Sequence, residues 1–153
     1  MAGTSNYSPY EPNAKGLTEV LIDFKDTLAG RTVYSVAGFE AIAFENVNQG
    51  QPLYARSSDG KLGLARAAGS EDEARVVGFA QTNKLAGETT RCLVFGNLAT
   101  SGLDAGELYF LSVGYGAITT TPPSSSGQYI TRVGEAISGA SLHVSLEPPI
   151  KVS

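Results

Sequence analysis

Glycine cuts this chain into runs too short to be ordinary helices. There are 18 glycines in 153 residues, about 12% against a usual ~7%, and they close one short apolar run after another. In residues 20–24, Val20, Ile22 and Phe24 alternate with Leu21 and Asp23; residues 32–36 (TVYSV) are β-branched and aromatic; residues 42–47 (IAFENV) alternate again. Such runs between glycine-bearing turns are strand signals, because successive side chains of a strand point to opposite faces. The pattern returns at 53–56, 62–65, 75–80, 90–95, 107–111, 117–121, 129–133 and 141–146. Ser58-Asp59-Gly60-Lys61 reads as a hairpin turn, since Asp-Gly tolerates positive φ. The one helix candidate is 67–75, where Ser70 stands before Glu71-Asp72-Glu73 as an N-cap would. It is short and flanked by glycine, so a single helical turn and a polar loop fit equally. Many short, regularly spaced strands predict an all-β fold, a compact β-sandwich or barrel.

Residues 1–16 (MAGTSNYSPYEPNAKG) break the pattern. Two prolines, two glycines and almost no aliphatic side chains exclude a helix or a central strand. The segment reads as an extended N-terminal arm, either a disordered tail or an arm that orders on a neighbouring subunit. In the second case Tyr7 and Tyr10 are the anchors, each with a large apolar face and a polar tip, and Pro9 and Pro12 lie beside them; these four are the candidate protein-interaction residues. Residues 17–153 then form a single β domain, long enough for one core without staples.

Two stretches echo each other 55 to 56 residues apart. Gly50-Gln51-Pro52-Leu53-Tyr54 matches Gly106-Glu107-Leu108-Tyr109 with one residue deleted, Gly60-Lys61-Leu62 matches Gly116-Ala117-Ile118, and Val77-Gly78-Phe79-Ala80 matches Val133-Gly134-Glu135-Ala136. The order predicts an internal pseudo-repeat of two small β-meanders packed face to face around one core. Two copies are too few for a solenoid.

The chemistry-bearing residues are sparse. The single histidine, His143, lies in an alternating strand and shares a face with Ser141 and Ser145, a solvent- or partner-facing side. No Gly-x-Ser-x-Gly elbow accompanies it. One cysteine, Cys92, allows no intrachain disulfide and reads as a buried small hydrophobe. One cysteine with one histidine makes no zinc site, and Glu71-Asp72-Glu73 lacks calcium-loop spacing. No phosphate-binding glycine loop is present, and without tryptophan there is no indole platform for a sugar. The chain therefore reads as non-enzymatic, with no cofactor and no metal. Net charge is −4, and no segment forms a basic patch, so no nucleic-acid partner is expected. No apolar signal region and no 18-residue apolar run appear, so neither secretion nor a membrane span is expected. Charged residues make up only 17% of the chain, below the usual ~25%, which suits a surface that is either neutral polar or covered by a partner.

The most distinctive wording lies in the second half. Ala105-Gly106-Glu107-Leu108-Tyr109-Phe110-Leu111-Ser112 is followed by Gly116-Ala117-Ile118-Thr119-Thr120-Thr121-Pro122-Pro123, then by Gly127-Gln128-Tyr129-Ile130-Thr131-Arg132-Val133-Gly134-Glu135-Ala136. This text resembles small virion proteins of tailed bacteriophages, above all head decoration or capsid cement proteins; related wording occurs in tail-fibre and tail-associated proteins. The resemblance covers about residues 45–147 and rests on strand and turn positions. It implies a structural protein of the virion, assembled in the bacterial host cytoplasm, that sits on the capsid surface. There it binds the major capsid protein, bridges neighbouring copies and stabilises the head against internal DNA pressure. It also implies a homo-oligomer, with a trimer favoured. A tail-fibre or baseplate adhesion module is the alternative.

Overall fold

The computed structural model describes residues 38–153, which form one unit. The arm 1–16, with Tyr7, Pro9, Tyr10 and Pro12, and the expected strands at 20–24 and 32–36 lie outside the described residues.

The described residues are β-strands in antiparallel sheets with almost no helix. A first five-stranded sheet contains β1 (Gly38–Ile42), β2 (Pro52–Ala55), β3 (Leu62–Leu64), β4 (Gly78–Ala80) and β5 (Thr89–Leu93), in the order β1-β5-β4-β2-β3. A second contains β6 (Phe95–Ala99), β7 (Leu108–Leu111), β8 (Ile118–Thr119), β10 (Arg132–Ser138) and β11 (Ser141–Ser145), in the order β6-β11-β10-β7-β8. A short ribbon pairs β9 (Tyr129–Ile130) with β12 (Ile150–Lys151). The expected meander is corrected by these orders: β1 pairs with β5 and β4 with β2, because the loop after β3 carries the chain back across the sheet.

Two expected boundaries also move. Residues 43–47 make only isolated bridges, Ala43 to Leu62 and Val47 to Lys84, and the strand lies earlier, at β1. After β5 the chain does not turn. It continues past Val94 into β6, helped by Gly96 at φ 120°, a conformation that a side chain would strain.

The helix candidate is one turn, α1 (Glu71–Ala74). Ser70 caps it: its hydroxyl accepts from the Glu73 amide at 3.2 Å, and the Glu73 carboxylate accepts from the Ser70 amide at 3.3 Å. Satisfying two otherwise orphaned donors lets so short a helix persist. Arg66 holds the same Glu73 carboxylate at 3.0 Å. The loop around α1 is bonded to the second half. The Ala67 amide donates to Ser112, Tyr129 donates to Ala67, and Gly116 donates to Ala65, at 2.8–3.0 Å.

Burial differs between the sheets. The main core joins Tyr54, Phe79 and Leu93 of the first sheet to Leu98, Tyr109, Leu111, Val133, Ala136, Leu142 and Val144 of the second. A second cluster, Ala43, Val47, Leu53, Leu62, Ala80 and Cys92, covers the other side of the first sheet. The centre of the first sheet is thus buried on both faces, and its middle strand shows no alternation: all three residues of β4 are buried. The second sheet is buried on one face only. In β11, Leu142 and Val144 go inside while Ser141, His143 and Ser145 do not.

Candidate interaction face

The open side of the second sheet is a surface built from four strands. The hairpin of β10 and β11 lies at its centre, β6 flanks β11, and β7 flanks β10. One row of side chains crosses all four strands, because directly paired residues of antiparallel strands share a face. It runs Asn97, His143, Glu135, Leu108. Two residues further along, Phe95 pairs with Ser145 on one flank and Phe110 with Arg132 on the other. At the opposite end Ala99 pairs with Ser141, and Ile137 stands in the irregular step between Ala136 and Ser138.

Apolar groups dominate its relief. Phe95 is 51% exposed, Leu108 39% and Ile137 56%. The Phe95 ring meets the His143 imidazole edge-on, with centroids 5.2 Å apart. His143 Nδ1 lies 3.3 Å from Asn97 Oδ1, a side-chain contact between neighbours in this row. A shallow hollow of about 370 Å³ is lined by Gly106, Glu135, Ala136, Ile137 and His143. Arg132 at the edge is paired with Glu147 at 3.6 Å. No ion pair engages Glu135 among the described residues.

The other chemistry-bearing residues lie apart from this face. Cys92 is fully buried, and burial pushes its thiol up to about 12, far from a reactive thiolate. Glu71 pairs with Arg75 at 3.0 Å and Glu73 with Arg66, so the acidic run serves the cap of α1 and local ion pairs. No group of three histidine, cysteine or acidic side chains gathers among the described residues. No helix among them is long and apolar enough to cross a membrane.

The sequence reading placed His143 on an open face but missed Phe95, Leu108 and Ile137 beside it. A signal existed in the run Phe95-Gly96-Asn97-Leu98-Ala99, where Leu98 alone faces inward. No protein-family model matches the chain, and no curated protein matches its sequence.

Proposed function

We propose that this chain is a structural protein of a tailed-bacteriophage virion, one that binds the capsid surface and cements neighbouring major capsid proteins. The observation that carries the reading is the distribution of exposed large apolar side chains. Phe95, Leu108 and Ile137 stand on the sheet face, Val113 and Tyr115 on the loop between β7 and β8, Ile42 on β1, Leu85 on the loop between β4 and β5, and Ile150 on β12. Scattered single side chains of this kind are ordinary, but Phe95, Leu108 and Ile137 share one open face, and a contiguous apolar face without an enclosed pocket suits a protein partner better than a small molecule. The resemblance of residues 45–147 to capsid cement proteins points the same way. Several weak contacts made by one molecule, or by one oligomer, strengthen one another through avidity.

The fold suited to this work is a two-layer β-sandwich made from one five-stranded unit used twice. Both sheets follow the order first, fifth, fourth, second, third strand. Gly50 donates to Ala80 at 2.8 Å, and Gly106 to Ala136 at 2.7 Å; Ala80 donates to Gln51, and Ala136 to Glu107, both at 2.9 Å; Arg56 donates to Lys61 at 2.8 Å, and Ser112 to Ala117 at 2.9 Å. Each pair is offset by 56 residues at both ends. This register aligns Leu53 with Tyr109 and needs no deletion, unlike the Leu-Tyr match in the sequence. The units stack front to back: Phe79 and Leu93 enter the main core, while their equivalents Glu135 and His143 lie on the open face.

Copy number in purified particles tests the function. Hundreds of copies per particle are expected, and a handful would place the chain in the tail. Occupancy of capsids by a chain lacking residues 1–16 tests the arm; unchanged occupancy would remove Tyr7, Pro9, Tyr10 and Pro12 from the interface.

A further inference from the structure

We infer that the open face of the second sheet is a twofold interface between two copies of this chain. The strand register makes the face self-complementary. Consider a twofold axis in the plane of the interface, parallel to the strands and midway between β10 and β11. That rotation sets β10 of one copy over the partner's β11, and β7 over the partner's β6. Glu135 and His143 are directly paired across the axis, so each Glu135 meets the partner's His143. Phe95 and Phe110 lie toward the same end, on the two flanking strands, so each Phe95 meets the partner's Phe110. Ile137, at the other end, comes over the partner's Ser141.

Charge gives the argument its direction. Glu135 has no ion-pair partner among the described residues, and the second ring nitrogen of His143 has no hydrogen bond among them. Stacked on itself about this axis, the face sets each Glu135 against the partner's His143 as well as beside its own, which is an isologous twofold contact. A threefold ring sets this face against a different one and leaves Glu135 facing whatever that surface carries. Four strands about 4.8 Å apart and five residues of about 3.4 Å give a flat footprint of roughly 19 by 17 Å, about 650 Å² over both copies. That is the size of a weak, reversible contact, so the dimer is expected at high protein concentration.

Light scattering and sedimentation velocity on the full chain, without capsid, provide the test. The wild-type mass should be that of two chains. Glu135→Lys removes the acceptor that faces the partner's imidazole, and His143→Glu sets two carboxylates opposite one another; each should raise the dissociation constant at least about tenfold. The double variant Glu135→Lys/His143→Glu restores opposite charges across the axis and should regain the dimer. Ile137→Asp, at a position largely in solvent, should weaken it without touching the central pair. Far-ultraviolet circular dichroism confirms that each variant is folded. A wild-type monomer, a trimer, a dimer indifferent to both single charge changes, or a double variant that stays dissociated would each overturn the inference.

Discussion

The hydroxyl of Thr131 donates to the backbone carbonyl of Ala74 at 2.7 Å, fully buried and across 57 residues of chain. Thr131 lies between β9 and β10, and Ala74 closes α1, so this one bond joins the two halves from inside. Thr131→Val keeps the shape and removes the donor. The expected loss is about 1–2 kcal/mol, the cost of leaving a buried carbonyl short of its partner. Urea unfolding measures it, and Thr131→Ser should lose less.

Gly134 and Gly78 have no room for a side chain. A Cβ on Gly134 would fall on the carbonyl oxygen of His143, and one on Gly78 would fall on the sulfur of Cys92 and near the carbonyl of Leu93. Backbone in a paired strand does not yield, so Gly134→Ala should cost about 2–3 kcal/mol. Gly114→Ala meets nothing within 4 Å and should be close to neutral. Thermal melts of the two variants side by side give the comparison.

Cys92 should be nearly inert to thiol reagents at pH 8 in the folded chain and react at once in denaturant, followed by absorbance of a disulfide reagent. Its thiol titrates at about 12 when buried against an ordinary value of 9.0. The folded pKa is the higher one. The stability it contributes is therefore complete below pH 9 and is lost as pH rises from there toward 12. Cys92→Ala should flatten that part of the alkaline stability curve.

Asp59 should titrate at about 2, well under the usual carboxylate range. The guanidinium of Arg56, whose Nη2 is 2.6 Å away, holds it there first, and the amide of Lys61 adds to the effect. Here the folded pKa is the lower one, so the stabilising contribution is present above 3.8 and disappears as pH falls through 2. Carbon-detected NMR titration of Arg56→Ala should show the midpoint rising toward 3.8.

The strand content was legible because the second sheet buries one face. Leu142 and Val144 inside, with His143 between them, leave a period of two in the sequence. The first sheet was harder to read, since Gly78, Phe79 and Ala80 are all buried and carry no alternation. The junction at Val94 was missed because nothing local separates one long strand from two that belong to different sheets. Partner choice among strands is non-local, and so the pairing of β1 with β5 left no mark in either strand alone. His143 was placed on an open face from its neighbours; that Glu135 stands opposite it depends on the register of β10 against β11, which the shift between Ala136 and Ser138 sets.

The open side of the second sheet is where a further layer would rest, as the second sheet rests on the first. Phe79 and Leu93 are what the first layer offers the next one. With Glu135 and His143 in those places, the outermost layer refuses a copy of its own inner face, since a buried carboxylate opposite Tyr109 or Leu142 would find no counter-charge. Two residues thus keep the open face from becoming a second core. Restoring the apolar pair, Glu135→Phe with His143→Leu, would be expected to turn a discrete assembly into one that precipitates as it grows.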